Sequence, residues 1–260
     1  MKYVSLVAIA ILVTFSPCLA EAQGNLFRSA FSCPNRGPSS VCIFGKISKA
    51  TPITLLAKDW KSSGTPKEEF TNTEFENEFK TITRVEVAAP PPREGLLIAA
   101  LAATETVNAL PLKEVRDEAL VGRIGAYIKT AQQLNLKLDI RILKTRLLRL
   151  SPTILLSETF LATPDNEAAL RKELPGGCRD CDTVPMLVGQ TLTDLFAGIR
   201  STEVNAVESI CGGIRFAFAL SGRPYLVSYA SSCESDSLSA TLIHDLSGKK
   251  PKLVFGPPGG

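Results

Sequence analysis

GIRFAFALSGRPYLVSYASSC, Gly213 to Cys233, alternates apolar residues with small or polar ones on both sides of Ser221-Gly222-Arg223-Pro224. A period of two marks a half-buried strand, and Ser-Gly-Arg-Pro carries turn chemistry, so the stretch predicts a β-hairpin. Closing the turn between Ser221 and Pro224 sets Leu220 opposite Tyr225, Phe218 opposite Val227 and Phe216 opposite Tyr229. Each pair is apolar or aromatic, as cross-strand stabilisation requires. Carried outward, this register brings Cys211 close to Cys233, with Gly212-Gly213 supplying a bulge that corrects a one-residue parity offset. ATLIHDLSGKKPKLVFG, Ala240 to Gly256, repeats the pattern. An antiparallel meander of three or four strands is expected at the C-terminal end.

Working back towards the N-terminus, the period changes. Leu96 to Leu110 is apolar and alanine-rich and reads as a buried helix. Pro111 suits the first position of a second helix, and Leu112, Val115, Ala119, Ile124, Ile128, Ala131 and Leu134 recur at three- and four-residue steps. Leu136, Leu138, Ile140 and Ile142 then alternate with Lys137, Asp139 and Arg141, which predicts a strand. Pro152 to Ala162 and Val184 to Gly189 read as further strands, with a short capped helix after Thr163 between them. In the first third, Val41–Ser48, Pro52–Ala57 and Phe79–Val87 read as strands. Lys58 to Asn77, broken by Gly64 and Pro66, reads as an exposed loop. The fold class expected is α+β: an N-terminal β-rich portion, central helices and the C-terminal meander, stapled by disulfides.

The ends set the compartment. Lys2, the apolar run Tyr3–Phe15, the break at Ser16-Pro17 and the small-residue pattern Ala20-Glu21-Ala22 follow the order of a secretory signal peptide. The apolar core falls short of the roughly 20 residues needed to cross a bilayer, and no later segment is apolar enough to span one. The organisation expected is a signal peptide (1–22), a β-rich portion (23–93) ending in the Pro-rich linker Ala88–Gly95, an α+β domain (94–255) and a disordered tail (256–260). A periplasmic or secreted location follows. Removal of residues 1–22 takes Cys18 and leaves Cys33, Cys42, Cys178, Cys181, Cys211 and Cys233, an even number that reads as a disulfide framework. The pairing expected is Cys33–Cys42, Cys178–Cys181 and Cys211–Cys233.

Cys178-Arg179-Asp180-Cys181 is the shortest loop of the three and the weakest staple, so it carries the alternative reading, a thiol-disulfide redox protein. Arg179 would favour a thiolate there while Asp180 and Asp182 oppose it, and no helix follows directly to lower a thiol pKa. The spacing does not suit a zinc ribbon, and no metal or cofactor is expected. His244 is the one histidine; its neighbour Asp245 points to the opposite face of a strand and cannot orient it. Ser157, Ser228 and Ser231 lie near strand ends outside any nucleophile elbow. A formal net charge of +3 does not call for a nucleic-acid partner. Lys137, Arg141, Lys144, Arg146 and Arg149 form a basic run that could meet an anionic surface. The function expected is binding without catalysis: a soluble accessory protein of the envelope or secretome that contacts a protein or an anionic envelope component.

Overall fold

The computed structural model describes residues 26–72, 80–92, 95–136, 140–174, 181–197, 210–233 and 239–256. Among them are sixteen strands and two α-helices, so the chain is mostly β and the α+β expectation with central helices is overturned. The first six strands close into a barrel in the order β1-β2-β5-β4-β3-β6. They are β1 (Phe27–Ser32), β2 (Ser40–Phe44), β3 (Ile53–Ala57), β4 (Trp60–Asn72), β5 (Lys80–Val87) and β6 (Leu97–Ala100). Val41, Ile43, Ile53, Leu55, Val85 and Ala99 form its apolar filling.

Two expectations fail here for identifiable reasons. Of the segment expected as an exposed loop, Trp60–Asn72 is a long strand, β4, and residues 73–77 lie outside the described residues. Gly64 faces the barrel interior, where a Cβ would come within 2.5 Å of Val85 Cγ1, and Pro66 sits where the β4–β5 register shifts. Both breakers mark a bend in a strand, a role that glycine and proline take at barrel corners and bulges. Leu96–Leu110, in turn, is β6, a 3₁₀ turn (Thr104–Thr106) and β7 (Val107–Leu110), with no helix. β6 is buried at all four residues between β1 and β3. A strand covered on both faces loses its alternation and reads like a buried helix. The Pro-rich segment therefore connects two strands of one barrel, β5 and β6.

The rest of the chain builds two five-stranded antiparallel sheets. One has the order β12-β11-β10-β9-β8 and the other β16-β15-β14-β13-β7. Their strands are β8 (Lys113–Val115), β9 (Arg141–Arg149), β10 (Leu155–Ala162), β11 (Asp182–Val188), β12 (Leu192–Asp194), β13 (Ile210–Leu220), β14 (Arg223–Ser232), β15 (Ser239–Asp245) and β16 (Lys252–Phe255). Helix α1 (Glu118–Leu136) starts seven residues after the expected start at Pro111, because β8 intervenes and Asp117 caps the helix by accepting from the Leu120 N–H at 2.9 Å. Helix α2 (Glu167–Glu173) is short.

Alternation along the strands fixes the layering. Ile124 and Ile128 of α1 pack on Leu147, Leu161, Val184 and Met186, one face of the first sheet. Leu148 and Leu156 of its other face meet Ile214, Leu226, Ala230 and Leu242 of the second sheet. The far face of the second sheet presents Phe216, Phe218, Tyr225 and Val227 to Phe27, Leu56 and Ile98 on the outside of the barrel. Helix, sheet, sheet and barrel thus stack in order. Phe27 is the pin of the last interface, edge-on to Phe218 and Tyr225 at 5.8 and 5.3 Å between ring centroids.

In the β13–β14 hairpin the turn is Ser221-Gly222, with φ of 50° and 81°. Leu220 pairs with Arg223, Phe218 with Tyr225 and Phe216 with Val227, two residues away from the expected register. Two positive φ values are the geometry of a tight turn whose twist matches the strands it joins. A shift of two leaves every side chain on its face, so the aromatic face survives the correction. The irregularity falls between Ile214 and Phe216, not at Gly212-Gly213.

Candidate functional site

The cysteines lie at strand pairs. Cys33–Cys42 ties the end of β1 to β2 and Cys211–Cys233 ties β13 to the end of β14, with Cα separations of 5.9 and 5.0 Å. Cys181 is disulfide-bonded and 0% exposed, packed with Leu143, Phe160, Ala162 and Leu170. Cys178, and with it the Cys178–Cys181 pairing, lies outside the described residues. Thiol exchange needs a line of attack on sulfur, and the Cys181 side chain is packed among apolar side chains.

The basic run does not make one face. Lys137 lies outside the described residues. Arg141 stands 4.0 Å from Glu167, which also holds Arg171 at 2.7 Å. Arg146 turns inward onto the Glu158 carboxylate. Lys144 and Arg149 remain exposed on β9. Among the described residues no helix is long and apolar enough to cross a membrane, and no group of three His, Cys, Asp or Glu converges.

Two strongly perturbed groups occupy the seam between the sheets. Glu158 is 1% exposed; its carboxylate takes the Ile214 N–H at 2.7 Å and pairs with Arg146. Burial raises its pKa, opposed by the Arg146 charge, the Ile214 N–H and the Arg215 charge. Gly213 is required beside it, since a Cβ there would stand 2.0 Å from Glu158 Oε1. With Asp182, which accepts from the Ile210 N–H at 3.1 Å, Glu158 caps the stretch of β13 that extends past β7. Side-chain carboxylates there replace strand hydrogen bonds. His244, 4% exposed, is held neutral down to about 4 by burial, despite a hydrogen bond with the Leu195 backbone. Asp245 points away, to Arg223 at 2.6 Å. Ser228 lies diagonal to His244 in the β14–β15 register and Ser157 lies beneath α1 on another sheet. These serines and the histidine do not converge.

Sequence reasoning passed over Glu158, although parity alone puts it with Leu156 and Phe160 on an apolar face. It also passed over a cleft of about 460 Å³ where the barrel meets the second sheet. Three distant segments build it: Leu56–Lys61 at the β3–β4 turn, Ala109–Leu112 at and just past the end of β7, and Arg215–Phe218 of β13. Apolar walls come from Leu56, Leu110, Leu112 and Phe216. Asp59, at φ 61°, makes the turn that holds Lys58 at the rim. The Arg215 guanidinium stacks 5.6 Å from the centre of the Tyr229 ring. Lys58 and Arg215 are both exposed, and among the described residues neither forms a salt bridge. Trp60, the one tryptophan, lines the cleft from the barrel side. Apolar walls with a few convergent charges are the usual form of a ligand site.

The fold and cleft define a class: a disulfide-bonded β-protein, barrel on sandwich, with an open cationic cleft at the junction. Comparison with protein families, with characterised proteins and with solved structures gave no match.

Proposed function

We propose that the protein is an exported binding protein that takes an anionic, partly apolar component outside the cytoplasm, in the cleft between barrel and second sheet. The cleft carries the reading: two cations outside any salt bridge among the described residues stand above an apolar floor. Residues 1–22 and the disulfides support export, since disulfides persist in oxidising compartments. The two perturbed groups, Glu158 and His244, are buried between the sheets, and their chemistry there is structural.

Native mass spectrometry of the full-length chain, recovered from an oxidising compartment, tests both halves. The expected N-terminus is Gln23, and the expected spectrum holds a bound small anion that disappears in the K58E/R215E double variant. A retained Met1 overturns export. A bound species that survives the double variant overturns the cleft.

A further inference from the structure

The edge of the second sheet restricts what the cleft can accept. The register of β7 with β13, and the Ser221 N–H donating to the Thr106 carbonyl at 2.8 Å, turn Thr106, Asn108 and Leu110 inward. Alternation then places Val107, Ala109 and Pro111 on the outer edge, along the cleft. Lys61 Nζ donates to the Val107 carbonyl at 2.7 Å and to that of Thr104 at 3.3 Å. Pro111 has no N–H to offer. Of the three outward residues only Ala109 keeps a full set of strand-pairing groups, so an extended peptide gains little by adding to this edge. Lysine and proline on an edge are devices that block strand addition.

A ligand that needs no backbone pairing meets no such obstacle. The walls contributed by Leu56, Leu110, Leu112 and Phe216 offer apolar area that an acyl chain gains by covering. The charged lining is Lys58, Lys61 and Arg215 against Asp59, a net positive set in which Lys61 is already engaged with the Val107 and Thr104 carbonyls, and an anionic head group matches it. The volume, about 460 Å³, lies at the small end of the roughly 300–1,000 Å³ usual for ligand pockets, which favours one chain over a two-chain lipid.

Resting on the binding function proposed above, we propose that the cleft takes a single-chain anionic amphiphile: a fatty-acid carboxylate held by Lys58 and Arg215, with its acyl chain along Leu110 and Leu112. Trp60 lines this cleft and is the only tryptophan, so its fluorescence reports occupancy from the site itself. Dodecanoate, titrated below its micelle concentration, is expected to shift the Trp60 emission saturably. Affinity is expected to fall at least about tenfold in R215Q and in K58Q, and binding to vanish in K58E/R215E. Lys58 and Arg215 are exposed, so unchanged circular dichroism accompanies these losses. Dodecyltrimethylammonium, with the same chain and the opposite charge, is expected to give no saturable change. Equal binding of the two amphiphiles overturns the head-group assignment, and so does indifference to K58E/R215E. A saturable response to an acidic peptide in place of dodecanoate overturns the amphiphile class. Silence towards dodecanoate, with a charge-dependent ligand still seen by native mass spectrometry, overturns this inference and leaves the binding function standing.

Discussion

Glu158 and His244 share one seam, and burial pushes both towards their neutral forms, with opposite consequences for stability against pH. The unfolded histidine takes a proton below its ordinary 6.5, whereas the folded one stays neutral to about 4. His244 therefore contributes stability that is complete above pH 6.5 and is lost as pH falls towards 4. Over that window the loss amounts to about 3 kcal/mol. Glu158, with its pKa raised chiefly by burial, binds its proton more readily folded than unfolded, so acid favours the folded state at that residue. A plain acid titration mixes the two signs, and the difference between wild type and H244L separates them. Urea melts at pH 7 and pH 4.5 are expected to show wild type losing about 2–3 kcal/mol more than H244L over that interval. Equal losses would place His244 in contact with water.

At the scale of the element, the β13–β14 hairpin shows what pattern can and cannot specify. Its strands, its aromatic face and the closeness of Cys211 to Cys233 follow from alternation and a Ser-Gly turn. Its register does not, because four turn residues and two turn residues leave the same side chains on the same face. β6 and β4 were illegible for other reasons. A strand buried on both faces has no period to read, and a glycine that admits Val85 inside a barrel looks in sequence like a glycine that opens a loop. The hairpin's own glycines separate cost by φ from cost by space. Gly222 has φ 81° and open space for at least 4 Å around the point where a Cβ would stand, while Gly212 has φ 131° and a Cβ there would lie 2.0 Å from the Tyr229 carbonyl oxygen. Gly222→Ala is expected to cost about 1 kcal/mol, the left-handed penalty alone. Gly212→Ala must also force β13 from β14, and the expected cost is about 3 kcal/mol or more. Thermal melts of the two variants check the order; a Gly212→Ala melt as high as that of Gly222→Ala would mean that the strands part easily at this point.

For the whole molecule, the question is where one folding unit ends. Composition points to the proline run at Ala88–Gly95, since stiff Pro-rich segments join independent domains. The pairing points past it. β6 meets β1 at four positions, Phe27 with Ala100 through Ala30 with Leu97, and meets β3 at three. No local signal could reveal this, because barrel closure joins residues far apart in the chain, as Phe27 and Ala100 are. The cleft was hidden for the same reason: its walls come from segments that only closure and stacking bring together. Without β6, β1 and β3 each lose a partner, and the filling of Val41, Ile43, Leu55 and Val85 loses Ala99 and opens to water. A fragment of residues 23–93 is therefore expected to give a collapsed, poorly dispersed amide NMR spectrum. Extending it to residue 103 restores the closing strand, and dispersion is expected to return. That longer fragment still exposes Phe27, Leu56 and Ile98, the face that the second sheet covers, so it should self-associate as its concentration rises. A folded, monomeric 23–93 fragment would make the proline run a true boundary and β6 an accessory to a barrel that holds without it.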